Sequence, residues 1–138
     1  MTDRFTELIR ELANVFDLPL FVDHNKACAL QVHEKIRIQL QANLEETHLL
    51  MACIAIEIPP GKFRENVLKE GLKTNNLPDP RPAAIGYLAQ NNHLAFHQSL
   101  PFNILDGQRL AGFFSVFLTE VEKWIKAIEE GRSGPENL

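Results

Sequence analysis

The five histidines are the residues most able to hold a metal ion or move a proton. His93 and His97 are four positions apart, a spacing that would place both imidazoles on one face of a helix. Between them Leu94 and Phe96 alternate with smaller or polar residues, which predicts a strand. On a strand the two imidazoles stand about 13 Å apart, too far to share one ion. We therefore expect no metal site, and we interpret the other three histidines as exposed residues of loops and turns.

Motifs for nucleophilic catalysis and for phosphate binding are also missing from the sequence. No serine lies in the GxSxG turn of a hydrolase, and the seven glycines form neither GxGxxG nor a phosphate loop. Cys28 and Cys53 have no CxxC spacing, and we interpret them as buried, reduced thiols. The sequence therefore predicts a protein that is not an enzyme and that has no cofactor.

Composition narrows the class of partner. The chain has 138 residues, of which 45% are hydrophobic, and a net charge of −4. Nucleic-acid binding depends on an excess of cations, which this chain lacks, so we expect no nucleic-acid partner. No window approaches the roughly 18 apolar residues of a membrane helix, and no signal-peptide pattern opens the sequence. We expect a cytoplasmic protein without membrane insertion.

Hydrophobic periodicity predicts an α+β domain with the order helix, three strands, helix, two strands, helix. The predicted helices are residues 3–16, 62–75 and 106–128, and the predicted strands are 28–33, 36–41, 48–58, 84–89 and 93–100. Residues 1–130 are predicted to form a single domain, followed by a flexible tail over 131–138. The last helix has a wide apolar stripe, predicted to be core: Leu110, Phe113, Phe114, Phe117, Leu118, Val121, Trp124, Ile125 and Ile128.

Three features favour a surface that another chain covers. The third strand is apolar on both faces, which is typical of a central strand or of one covered by a partner. Gly71 in the middle of the second helix costs about 1 kcal/mol relative to alanine, which suggests a close helix contact. An apolar loop follows the first helix at Leu18, Leu20 and Phe21. Together they favour a dimer with an exposed binding surface.

The chain resembles the class I chaperones of type III secretion systems, the Tir-chaperone or CesT-like family, over residues 3–130. The resemblance rests on these segments: the opening helix ending in Leu18-Pro19-Leu20, the strand Cys28-Ala29-Leu30 followed by Ile36-Arg37-Ile38, the helix segment 63–72, and residues 94–101 leading to Leu105-Asp106 and a closing helix with Trp124. It implies an antiparallel twisted sheet with three helices.

The resemblance also implies a function. Such chaperones are cytoplasmic homodimers that bind a non-globular segment near the N-terminus of a secreted effector and keep it competent for export. The implied cargo-binding residues are Leu18, Leu20, Phe21, Leu30, Val32 and Ile38. The implied dimer interface consists of Phe63, Val67, Gly71, Ile85 and Tyr87.

Two alternatives stay open at this point. One is a small α+β domain that binds an apolar ligand between the sheet and the last helix. The other is a non-catalytic subunit that forms a heterodimer with a homologous chaperone of the same fold. The sequence identifies neither the effector nor the source organism.

Overall fold

Eight main elements follow one another in the predicted order in the computed structural model, which describes residues 3–77 and 82–135. They are α1 (Arg4–Phe16), β1 (Ala27–His33), β2 (Ile36–Ala42), β3 (His48–Glu57), α2 (Lys62–Asn75), β4 (Ala84–Leu88), β5 (His93–Pro101) and α3 (Gly107–Glu129), with a short 3₁₀ turn at Phe102–Ile104 before α3. The predicted fold class, three helices and an antiparallel sheet, is confirmed. Part of the predicted loop before β4 (78–81) and of the predicted tail (136–138) lies outside the described residues.

The five strands form one antiparallel sheet in the order β1-β2-β3-β5-β4. The sheet therefore ends at β1 on one side and at β4 on the other. One face, here called the core face, is covered: α3 packs against it and α1 packs against α3. The α2 helix follows β3 and packs beside β4.

The core face is filled by large side chains. Trp124 and Phe117 of α3 and Phe96 of β5 are almost completely buried, and the Phe96 and Trp124 rings lie 6.3 Å apart. These rings occupy the space between the sheet and the last helix. The alternative of an apolar ligand held there therefore has no support from the described residues.

The central strand β3 has one buried face and one exposed face. Leu49 and Met51 are completely buried on the core face, whereas Leu50 is 41% and Ile54 57% exposed on the other. The order of the sheet makes β3 a central strand, which is one of the two explanations that its doubly apolar pattern allowed. Within residues 3–77 and 82–135, its second apolar face remains partly exposed.

The last helix begins directly after Asp106, whose side chain caps it by accepting a hydrogen bond from the Arg109 N–H at 2.8 Å. Most of its stripe is buried, but Phe113 is 37% exposed, so the prediction that Phe113 is core was wrong. Phe113 lies on the flank of a stripe that α1 and the sheet do not fully cover.

Candidate functional site

The turn after α1 places an apolar loop next to the sheet edge. Asp17 has φ +53°, the left-handed conformation that ends many helices, and the Leu18 N–H donates to the Ala13 carbonyl at 3.1 Å. This reverses the chain at Asp17, so the residues after it run beside β1. The predicted helix end is confirmed, with the left-handed Asp17 as its structural cause.

Between this loop, β1 and α3 lies a groove of about 520 Å³, here called the β1 groove. Its lining comes from α1 and the loop (Phe16, Leu18, Pro19, Leu20), from β1 (Ala29, Leu30, Gln31, Val32) and from α3 (Phe114, Ser115, Leu118). The Phe16 and Phe114 rings meet edge to face, 5.4 Å apart. This contact holds the end of α1 against α3 and so fixes one wall of the groove.

The β1 groove carries no ionisable side chain in its lining. The amide nitrogen of its Gln31 already donates to the carbonyls of His33 and Ile36, at 2.6 and 3.2 Å. Leu18 is 55% exposed and Val32 37% exposed, so apolar surface remains available. The groove therefore suits apolar side chains, with little electrostatic contribution.

Four of the six residues predicted to bind cargo line the β1 groove: Leu18, Leu20, Leu30 and Val32. Phe21 is 80% exposed on the same loop but does not line the groove. Ile38 is completely buried and does not line the groove. Its cross-strand neighbour Leu30 is also a core residue, 7% exposed, but it does line the groove. A partner cannot reach Ile38, and we correct its assignment to core.

Phe16, Phe114 and Leu118 also line the groove. The sequence predicted Phe114 and Leu118 only as part of the apolar stripe of the last helix, and Phe16 only as the end of the first helix. Their spacing is that of ordinary core residues. The one signal in the sequence is that Leu118 lies at the edge of the α3 stripe, where burial is least complete.

Beside the groove, β1 has an edge that lacks a partner strand. Both backbone groups of Ala27 bind Asp23, so they point away from β2. Because the direction of these groups alternates along a strand, those of Ala29 and Gln31 point the same way. In the described part of the chain β2 is the only strand beside β1, and no loop or turn backbone forms a hydrogen bond with Ala29 or Gln31. The groove thus lies next to free donors and acceptors.

Most of the residues predicted for a dimer interface are buried by contacts within their own chain. Val67 and Gly71 of α2 and Ile85 of β4 are buried, and a Cβ at Gly71 would lie 3.3 Å from Ile85 Cγ2. The close contact suggested by Gly71 therefore exists, but it joins α2 to its own sheet. We correct these three to monomer core, whereas Phe63 and Tyr87 are only half-buried.

The outer side of α2 carries apolar surface that the monomer leaves exposed. Leu72 is 65% and the following loop residue Leu77 58% exposed. The charged residues beside them, Glu65 and Lys69, form an ion pair at 3.3 Å along the helix. Contiguous apolar surface of this kind is typical of contacts with another chain, so we treat Leu72 and Leu77 as candidates for such a contact.

Potentially reactive groups lie apart from the groove. Cys28 and Cys53 are free thiols in the core, as predicted, and burial raises the pKa of Cys53 to about 11. Burial also raises the pKa of Cys28, opposed by a hydrogen bond from the Phe21 backbone. Within residues 3–77 and 82–135 no group of three or more His, Cys, Asp or Glu side chains is placed to hold a metal ion.

Two other surface grooves differ from the β1 groove. One, of about 520 Å³, lies on the other flank of α3 and is lined by Ile104, Arg109, Gly112, Phe113 and Val116. A wider one, of about 1220 Å³, lies at the loops and outer side of the sheet and includes charged and amide side chains. Neither lies beside the free β1 edge at Ala29 and Gln31.

The same fold occurs in solved chaperone structures. A chain of the HopA1–SchA chaperone–effector complex is 16% identical, with a TM-score of 0.72 and coverage of 92% of this chain and 100% of that one. A chain in the structure of the Yersinia pestis type III secretion chaperone SycH with a stable fragment of YscM2 has 16% identity, TM-score 0.68 and coverage of 86% and 97%. A chain of the ExoT–SpcS complex from Pseudomonas aeruginosa has 18% identity, TM-score 0.64 and coverage of 88% and 97%.

These similarities place the fold among type III secretion chaperones. The model of the Tir chaperone protein (CesT) family matches residues 7–125, and the chain belongs to this family. The family and class predicted from the sequence are thereby confirmed. A comparison with curated protein sequences finds no match. In the described part of the chain, no helix is long and apolar enough to cross a membrane.

Proposed function

We propose that this chain binds the N-terminal, non-globular segment of a secreted effector in the β1 groove and keeps that segment extended for export. The observation that carries the proposal is the position of the groove. An uncharged apolar groove lies directly beside the unpaired edge of β1, where Ala29 and Gln31 present free backbone groups.

An extended cargo chain uses both features at once. Its backbone pairs with the β1 edge, while alternate side chains enter the groove. The edge available at Ala29 and Gln31 is short, because Asp23 occupies the backbone groups of Ala27. Ordering a flexible segment costs several kcal/mol, so further contacts along the cargo must add to those at this site.

The site supports binding rather than catalysis. The groove lining offers no acid, base or thiol, and the family is a chaperone family. We propose a non-enzymatic protein without a cofactor that acts in the bacterial cytoplasm, where effectors are held before export.

We further propose that the chain works as a homodimer, or as a heterodimer with a homologous chaperone. The exposed side of α2 at Leu72 and Leu77 supports this, together with the half-buried Phe63 and Tyr87. A stable interface buries on the order of 1,600 Å² in total, so these residues form only its apolar centre. Light scattering of the purified chain, alone and co-expressed with homologous chaperones, distinguishes the two forms.

The experiment that tests cargo binding compares two changes at one edge residue. Ala29→Pro removes the outward N–H of an exposed position in an edge strand, where proline is tolerated, whereas Ala29→Ser retains it. The probe is the N-terminal segment of a secreted protein encoded next to this gene, with the remainder of the same protein as a negative control.

We expect the wild type and Ala29→Ser to bind the N-terminal segment, and Ala29→Pro to bind at least tenfold more weakly with an unchanged melting temperature. Amide exchange should also slow at Ala29 and Gln31 when cargo binds. Equal binding by the proline and serine variants, with unchanged exchange at both residues, would exclude strand pairing at β1.

A further inference from the structure

One side chain occupies the middle of the β4 edge. Asn75, the last residue of α2, accepts a hydrogen bond from the Ile85 N–H at 2.9 Å through its Oδ1. Its Nδ2 donates to the Ile85 carbonyl at 2.8 Å. The Asn75 amide thus makes both hydrogen bonds that a residue of a neighbouring strand would make with Ile85.

The β1 edge has a similar cap, but at its end. Asp23 binds both backbone groups of Ala27, with its N–H donating to the carbonyl at 2.9 Å and its Oδ1 accepting from the N–H at 3.0 Å. Ala27 is the first residue of β1. The cap therefore leaves Ala29 and Gln31, two consecutive outward-facing residues, available for pairing.

The position of the cap decides whether an edge can accept a strand. A neighbouring strand pairs with every second residue in succession. Ile85 is the second of the five residues of β4, so within the strand only Tyr87 is left facing outward. A cap at Ile85 therefore interrupts pairing along β4, whereas a cap at Ala27 shortens β1 without interrupting it.

We propose that Asn75 closes the β4 edge and so prevents copies of this chain from pairing head to tail, with β1 of one copy on β4 of the next. Such a contact joins two different edges, so each added copy would present a new free edge and the assembly would grow. A chaperone whose β1 edge is free to pair with an extended cargo chain needs its β4 edge blocked. Otherwise β1 of one copy could pair with β4 of another. The proposal concerns the protein without cargo.

The test compares Asn75→Ala with Asn76→Ala, a matched change at the next residue, which is exposed. Mass is measured by sedimentation and light scattering of the full chain over a wide micromolar range. We expect the wild type and Asn76→Ala to keep one mass at all concentrations, that of the proposed dimer. For Asn75→Ala we expect the average mass to rise with concentration to at least twice the wild-type value, and we expect adding Ala29→Pro to restore that value.

Two results would overturn the proposal. The first is a folded Asn75→Ala whose mass equals that of the wild type at every concentration. The second is assembly that persists after Ala29→Pro is added, since β1 would then not be the partner edge.

Hydrogen exchange in the wild type provides a measurement that does not depend on folding of the variant. The Ile85 N–H should exchange at least tenfold more slowly than the Tyr87 N–H, which faces the same way. Equal rates would show that Asn75 does not protect the edge. Because no cargo is present in either measurement, failure of this proposal leaves cargo binding at β1 untouched.

Discussion

Replacing Leu18 and Val32 with serine should weaken cargo binding about twentyfold while the fold persists. Both line the β1 groove, and 55% of Leu18 and 37% of Val32 remain exposed. Burying such a side chain completely contributes about 2 kcal/mol, so covering the exposed parts contributes about 1.1 and 0.7 kcal/mol. A loss of about 1.8 kcal/mol corresponds to a roughly twentyfold increase in Kd.

The assay is calorimetric titration of the N-terminal effector segment into each variant at two salt concentrations. Leu44→Ser is the control for a fully solvated leucine, since Leu44 is 93% exposed, and it should bind as the wild type does. Val116→Ser removes an apolar residue that is 54% exposed in the groove on the other flank of α3. The affinity should change little with salt, because no charged residue lines the β1 groove.

The reasoning would be refuted if the Leu18 and Val32 double variant bound cargo normally while Val116→Ser bound it weakly. That result would move the cargo site to the other side of α3. Urea unfolding of each variant identifies any loss of affinity that results from loss of the fold.

Other changes test packing and ionisation. Gly107→Ala should destabilise the chain by about 1–3 kcal/mol in urea unfolding, because its Cβ would lie 2.7 Å from Glu11 Cβ and 2.8 Å from its carbonyl carbon. In contrast, the Cβ added by Gly112→Ala would have no atom within 4 Å, so this change should stabilise the helix. Val67→Asp should unfold the monomer, since Val67 is completely buried; a folded chain of half the wild-type mass by light scattering would contradict this. Stability should fall by on the order of 2 kcal/mol between pH 9 and 11, because the unfolded thiol of Cys53 loses its proton near its ordinary pKa of 9.0 while the folded one retains it to about 11. This fall should be smaller in Cys53→Ala, and an identical pH profile would contradict the assignment.

Local sequence patterns were sufficient to predict the helices and strands and where they begin and end. The caps Asp3 and Asp106 each accept a hydrogen bond from the N–H three residues on, at 2.7 and 2.8 Å. A cap, a turn and an apolar period depend on neighbours within a few residues. The order of helices and strands could therefore be predicted from the sequence alone.

The candidate site was predictable only in part. Leu18 and Leu20 stand out in the sequence because an apolar loop is unusual, whereas Leu30 and Val32, which alternate with polar residues on a strand, are assigned only through the family resemblance. Ile38 shows the same alternation but lies on β2, inside the sheet, where both neighbouring strands and the helices cover it. Periodicity identifies the apolar face of a strand but not whether that strand is an edge.

The sequence by itself determined the class of this protein: its α+β element order, its family and the absence of a recognisable catalytic motif. Tertiary structure alone decided which strands lie at the edges of the sheet. It also decided that Val67 and Gly71 of α2 are buried within the same chain, and that the Asn75 side chain forms hydrogen bonds with the Ile85 backbone. These outcomes depend on contacts between residues far apart in the chain. Whether a residue is buried, and which strands pair, depends on how all the helices and strands pack together, so no local sequence pattern specifies either.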